Sequence, residues 1–242
     1  MEHFIRKLAT TFVVHADITR IMVAPASLRL YELAFTHSSV DKNNNYEMFE
    51  QLGDLTINKF LVFYFYTRFP KLCNPFGVKI VARLRIKYGS KQVLSAIADY
   101  YEFFPKIRTA EVVTSGTRRL SLLEDVFEAY VGVTEHILDE ELGRGVGWAM
   151  VYNMLEHIFD EMTICLNYTS LFDAKTRLKE VCDFHRETIT YRHVAPERVE
   201  IWRGDLLLAR GTSEQDAAEK AIQKFALMGK SKEIPEQYHD LE

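Results

Sequence analysis

The stretch Tyr46-Glu47-Met48-Phe49-Glu50-Gln51-Leu52-Gly53-Asp54 opens a long helical pattern in this 242-residue chain. Phe49, Leu52, Thr56, Phe60 and Phe63 follow the i, i+3/i+4 rhythm of a helix face, and Pro70 supplies a stop, which predicts a helix from Glu47 to Thr67. Glu50 and Asp54 are one turn apart, so they project from the same side with a rise of about 6 Å between them. Glu47, three residues before Glu50, points the same way. A second apolar helix, expected from Ser121 to Leu138, carries Asp125 and Glu128 at matching spacing within Leu122-Leu123-Glu124-Asp125-Val126-Phe127-Glu128-Ala129. Exposed acidic stripes usually mix lysine with glutamate for pairing. Here neither pair has a basic residue one turn on, and Asp54 faces Asn58.

If these two helices pack with their acids together, each like-charged pair at ~5 Å costs roughly 3 kcal/mol at an effective dielectric of ~20. Such a cluster persists only with raised pKa values or bound cations. Two divalent ions would balance four carboxylates, and an all-oxygen donor set suits Mg²⁺, with Mn²⁺ able to substitute, better than zinc. A pair of such ions is a common device for phosphodiester hydrolysis.

Working outward, helical stretches are expected over Val78–Lys87, over Lys91–Tyr101 with Ser90 as N-cap, and over Gly147–Glu161. The loop Arg108–Arg119 is polar. The texture changes after Asn167: a short amphipathic helix (Asp173–Phe184) precedes three strand-like pieces, Thr188–Val194, Arg198–Trp202 and Leu206–Arg210. Arg203-Gly204-Asp205 reads as the last turn, and Ser213 caps a final helix reaching Met228. The expected organisation is a mainly α domain over residues 1–167, a small α+β domain (α-β-β-β-α) over 168–230, and a polar tail over 231–242.

Composition bounds the rest. Gly and Pro together number 17 and aromatics reach 12%, which excludes collagen-like and disordered classes. The longest purely apolar run, Phe60–Tyr66, is far short of the roughly 20 residues that span a bilayer, so no membrane association is expected. Three scattered cysteines and no secretory pattern point to an intracellular setting with reduced thiols, the cytoplasm ahead of the nucleus or an organelle. A net charge of −4 means that any nucleic-acid partner must be held by local basic patches or cations.

The Tyr46–Asp54 stretch resembles the ribonuclease III signature Asn-Glu-Arg-Leu-Glu-Phe-Leu-Gly-Asp. Ala34-Phe35-Thr36-His37-Ser38-Ser39 is similar to that family's Ala-x-Thr-His-x-Ser turn. Leu123 to Gly132 resembles its second acidic motif, Asp-x-x-Glu-Ala-x-x-Gly, and Arg68-Phe69-Pro70 falls where the family closes its signature helix. The resemblance covers Leu28–Leu227 and implies a ribonuclease III-type helical endonuclease domain followed by a unit like a double-stranded-RNA-binding domain. The helix from Gly145-Val146-Gly147-Trp148-Ala149 onward, with Leu171-Phe172-Asp173-Ala174-Lys175, is similar to ribonuclease III proteins of large DNA viruses.

The resemblance implies that Glu50, Asp54, Asp125 and Glu128 are the catalytic and metal-binding carboxylates, with Glu47 auxiliary. It implies Mg²⁺-dependent cleavage of double-stranded RNA to 5′-phosphate products with short 3′ overhangs, by a dimer. His37 is expected as a buried, hydrogen-bonded residue and Glu124 as an exposed extra carboxylate. Gln51 stands where the family has a phenylalanine that plugs the partner subunit, so the dimer contact falls to Gln51 or to neighbouring Phe49, in a homodimer or a heterodimer.

In the second domain the resemblance places Lys175, Thr176 and Lys179 on the helix that meets RNA. Glu214, Gln215 and Asp216 replace the family's basic run, and Asp173–Lys230 holds 11 basic against 10 acidic residues. A structural or protein-contact role for this unit is therefore favoured over RNA binding. The rival readings of the whole are a catalytically silent RNA-binding or sequestering protein, and a scaffold subunit of an RNA-processing or ribosomal assembly.

Overall fold

Two glycines decide how the two acid-bearing helices meet. The computed structural model describes residues 1–12, 16–75, 77–113 and 116–231. Thr114 and Ser115 of the polar loop, and the expected tail from residue 232 on, lie outside the described residues. Residue contacts divide the chain into units Met1–Thr163 and Ile164–Glu242.

The first unit is all helical. Its long helices are α1 (Glu2–Phe12), α2 (Ala16–Met22), α3 (Pro25–Ala34), α4 (Glu47–Arg68), α5 (Gly77–Tyr88), α6 (Lys91–Tyr100), α7 (Thr117–Leu142) and α8 (Val146–Asp160). The centre is α7, which is buried without a break from Val126 to Thr134 because α2, α3, α4, α6 and α8 all pack on it. A helix segment buried on every side, as residues 126–134 are, belongs inside a core. Edge-to-face rings of Phe4, Phe103 and Tyr130, with Phe35 and Phe127 beside them, fill the space between α7 and the N-terminal helices.

The axis of contact between α4 and α7 lies at Gly53 and Gly132. A Cβ on Gly53 would stand 1.8 Å from the Glu128 carbonyl oxygen, and one on Gly132 would stand 2.3 Å from the Phe49 carbonyl oxygen. Backbone therefore touches backbone, and no side chain separates the helices at the crossing. The buried side of α4 consists of Gly53, Thr56, Ile57, Phe60, Leu61, Tyr64 and Phe65. The expected face is thus rotated: Leu52 and Phe63 are exposed, and the true face is the one the glycine occupies. Two further expectations are corrected. Ser90 precedes α6 in extended conformation but its hydroxyl donates to the Lys87 carbonyl instead of capping the helix, and α7 runs to 26 residues, beyond both expected ends.

The second unit holds α9 (Tyr168–Leu171), α10 (Ala174–His185), strands β1 (Thr190–Ala195), β2 (Arg198–Arg203) and β3 (Leu206–Gly211), and α11 (Glu214–Leu227). The sheet is antiparallel in the order β1-β2-β3. Val199, Ile201, Leu208 and Ala209 meet Leu178, Ala217, Ala218, Ala221 and Phe225 in one core. Asp173 caps α10 by accepting from the Thr176 amide, and Ser213 caps α11 by accepting from that of Asp216. Arg203 pairs with Leu206, so the expected turn shortens to Gly204-Asp205. Mainly α plus a small α+β unit is the observed fold class.

The crossing carries a prediction. Gly53→Ala or Gly132→Ala forces backbone apart rather than side chains, so each is expected to cost about 3 kcal/mol or more, at or above the usual range for overpacking. Urea unfolding followed by circular dichroism checks this; a loss below about 1 kcal/mol would show that the helices slide freely here.

Candidate active site

Glu50 and Asp54 flank Gly53 on α4, and Asp125 and Glu128 lie on α7 just before Gly132, so the crossing that excludes side chains at its centre brings these four to one side. The grouping shows in their electrostatics. Glu128 is only 8% exposed, and burial, with Asp54, Glu124, Glu50 and Asp125 adding, pushes its carboxyl up to about 9. Burial, with Asp125, Glu47, Glu124 and Asp54 adding, pushes Glu50 up to about 7. Asp125 is raised by burial, opposed by the Tyr46 hydroxyl and by Lys91, Arg118 and His37. Glu47 is exposed at the start of α4 and acts on Glu50 through charge alone.

Two of the four are turned toward donors. The Tyr46 hydroxyl donates to Asp125 Oδ2 at 2.8 Å, and burial, with the Asp125 charge, holds that phenol protonated far above its ordinary pKa. Asn58 Nδ2 donates to Asp54 Oδ1 at 2.7 Å, and Arg85 fixes Asn58 by donating to its Oδ1 at 2.6 Å. Among the described residues no three His, Cys, Asp or Glu side chains converge as they stand on a point that would hold an ion. The donor set nevertheless fits hard divalent cations: oxygen only and partly buried, with like charges gathered on one side of the crossing.

Glu124 corrects an expectation. Its side chain is 18% exposed and pairs with Lys91 Nζ at 3.2 Å, while Lys91 also donates to Ser121 at 2.9 Å. It adds its charge to both Glu50 and Glu128. His37 is buried, with Nδ1 bonded to Ser39 at 2.7 Å and Nε2 facing Arg118 at 3.0 Å. Tyr46, Lys91 and Arg85 are members of the site that the sequence did not single out, although Tyr46 opens the quoted stretch; Asn58 meets Asp54 as their one-turn spacing implied. Gln51 is exposed, and Phe49 is half-buried against the His136 ring, 5.9 Å between centroids. In the second unit Thr176 is half-buried, Lys179 is exposed, and Lys175 is engaged by Glu214.

A helical unit that aligns carboxylates across a glycine crossing, joined to an α-β-β-β-α unit, defines the class. No family model matches the chain. It is 43% identical over 175 residues to a provisionally named ribonuclease 3 of Invertebrate iridescent virus 6, covering 66% of this chain and 59% of that protein. It is 40% identical over 198 residues to one of Frog virus 3 (isolate Goorha), covering 79% and 53%. Ribonuclease 3 of Enterococcus faecalis is 29% identical over 219 residues, covering 82% of this chain and 91% of that one. The chain spans somewhat over half the length of the two viral relatives. It belongs to the ribonuclease III family.

The raised carboxyls make the first unit pH-sensitive. A folded-state pKa above the unfolded value gives stability that is complete below about 4.5 and is lost as pH climbs through the folded values of about 7 and about 9. In EDTA, unfolding free energy is expected to fall between about pH 5 and about pH 9. Glu128→Gln should flatten the upper part of that decline and melt several degrees higher at pH 9; an unchanged pH profile in the variant would show that Glu128 ionises as an ordinary carboxylate.

Proposed function

We propose that this chain is an endoribonuclease that hydrolyses double-stranded RNA, with Glu50, Asp54, Asp125 and Glu128 holding Mg²⁺ and Glu47 adding charge at the rim. The observation that carries the reading is the carboxylate quartet with no lysine or arginine salt bridge among the described residues, in which Glu50, Asp125 and Glu128 are pushed toward protonation, inside a ribonuclease III fold. Bound divalent cations would supply the charge that activates water and stabilises the leaving oxygen, leaving 5′-phosphate and short 3′-overhang products. The protein's own residues hold the carboxylates on rigid helices, which limits reorganisation. Tyr46 orients Asp125, Asn58 orients Asp54, and Lys91 keeps Glu124 from adding its whole charge. Mn²⁺ meets the same oxygen donors and is expected to substitute.

Severing a duplex takes two such centres, and a homodimer would provide them. Along α4 the exposed residues Met48, Leu52, Leu55, Val62 and Tyr66 repeat with a seam-like spacing interrupted only by Lys59. Leu55 is 67% exposed. An apolar stripe of that kind supports a partner helix beside it, with Gln51 and Phe49 on the same segment; a heterodimer would use the same face. Lys175, Thr176 and Lys179 are the RNA contacts the family resemblance suggests for the second unit.

Labelled duplex RNA is expected to shorten with purified protein and Mg²⁺, and to stay intact in EDTA. Glu128→Gln should cut the rate by at least about 100-fold while duplex binding persists, since it removes a ligand rather than a merely supporting partner. Unchanged turnover in that variant refutes the assignment. A duplex that binds but never shortens with Mg²⁺ or Mn²⁺ would favour a sequestering protein instead. Separately, Leu55→Glu should convert a dimer to monomer in sedimentation velocity; an unaltered sedimentation coefficient would move the interface elsewhere.

A further inference from the structure

Strand alternation gives the second unit two faces of opposite electrical character. Val199 and Ile201 point into the core beneath α10 and α11, so Glu200 and Trp202 point to the other side of the sheet. The register sets Arg192, Glu200 and Arg210 side by side across the three strands. Glu200 is 5% exposed and organises its neighbours: its Oε1 accepts from Arg210 Nε at 2.9 Å and Arg198 Nη2 at 3.3 Å, and its Oε2 accepts from Trp202 Nε1 at 3.1 Å. Burial alone would raise Glu200; Arg210, Trp202 and Arg198 outweigh it and keep its carboxyl below the ordinary range. The Arg192 guanidinium lies over the Trp202 ring, 4.6 Å from its centroid, and meets no carboxylate among the described residues.

Three guanidiniums thus stand around one carboxylate, and that carboxylate is underneath them. The helix side differs. There Glu214 takes both Lys175 and His193, Glu219 takes Arg177 at 2.5 Å, and Asp216 takes Lys220 at 2.8 Å. Lys175, Arg177 and Lys220 on the helices are thus neutralised, while Lys179 stays exposed and Lys224 bonds the Leu207 carbonyl; the outer sheet face carries three guanidiniums against one carboxylate, a surplus of two positive charges.

We propose that the outer sheet face, through Arg192, Arg198, Arg210 and Trp202, is a binding platform for the phosphate backbone of RNA. Guanidinium forks match phosphate oxygens in pairs, and Glu200 fixes two of the forks beforehand, which lowers the ordering cost of binding. The Trp202–Arg192 stack offers a flat π surface to a base, the element that single-stranded RNA uses and an acidic peptide lacks. Naming RNA as the polyanion rests on the function proposed above.

The test is fluorescence anisotropy of labelled single-stranded and duplex RNA with the full chain in EDTA, across a salt series, with poly-glutamate as a third probe. Arg192→Ala leaves the Glu200 bonds intact and reports without disturbing the fold; Arg192→Ala/Arg210→Gln removes a second cation. The double variant is expected to bind RNA about 10-fold more weakly, and the log Kd against log salt slope to fall by about one per arginine. Unchanged affinity and slope overturn the proposal. So does an arginine-dependent grip on poly-glutamate equal to that on RNA, which would make the face a protein-docking surface. RNA cleavage by wild type in Mg²⁺ is scored in parallel: arginine-dependent binding without cleavage keeps the platform and discards the nuclease, and cleavage with arginine-independent binding does the reverse.

Discussion

The contact of Gly53 with the backbone of Glu128, and of Gly132 with that of Phe49, is the constraint on which the first unit depends. Helices separated by ordinary side chains lie 8–10 Å apart axis to axis; removing both Cβ atoms at the crossing lets them close further. Residues flanking such a crossing are forced together whatever their chemistry. Here they are Glu50 and Asp54 on one helix and Asp125 and Glu128 on the other, and the rest of α4 and α7, apolar along its buried length, supplies the hydrophobic gain that outweighs their repulsion. Packing and chemistry meet in the same two residues, so the site cannot be loosened without loosening the core.

That arrangement explains the character of the supporting residues. A cluster of like charges in a half-buried place relaxes by taking protons, by turning to donors or by pairing with cations. All three occur. Glu128 and Glu50 are pushed toward protonation, Asp125 and Asp54 turn to Tyr46 and Asn58, and Glu124 takes Lys91. Lys91, the first residue of α6, makes its salt bridge to the outermost member of the cluster, and among the described residues no lysine or arginine makes one to the inner four. A fold under selection for stability alone would place the cation among the inner four, because an unpaired buried carboxylate costs more than a partly exposed one.

Much of this was legible in the chain, for physical reasons that also mark the limit. Acid spacing survives translation into structure because 3.6 residues per turn fixes which side chains share a face, so Glu50 with Asp54 and Asp125 with Glu128 could be paired from position alone, while joining the two pairs rested on the ribonuclease III resemblance. The orientation of α4 could not be read by the same rule. Its residues are apolar on every side, so periodicity is nearly flat, and Phe49–Leu52–Phe63 matched a helix face as well as the true stripe did; the glycine was the better marker. Tyr46, Lys91 and Arg85 come from a loop, a helix start and a neighbouring helix, and their meeting depends on tertiary packing that no local pattern encodes. Glu124 looked like a solvated acid because its partner stands 33 positions earlier in the sequence.

Charge counting in the second unit is blind to position for a related reason. A nearly balanced tally over Asp173–Lys230 argues for weak attraction to a polyanion only if the charges are mixed evenly in space. A sheet separates them by alternation, sending neighbouring residues to opposite faces, and the helices pair theirs internally. Glu214 and Asp216 at the start of α11, which read as an obstacle to phosphate, are also the partners that neutralise Lys175 and Lys220. Each such pair removes one acid and one base from the tally, and the far side of the sheet keeps Arg192, Arg198 and Arg210 against Glu200 alone. Net charge per domain therefore describes the long-range field, whereas short-range recognition is decided by the balance on each face, and on the outer sheet face three arginines stand around a single glutamate.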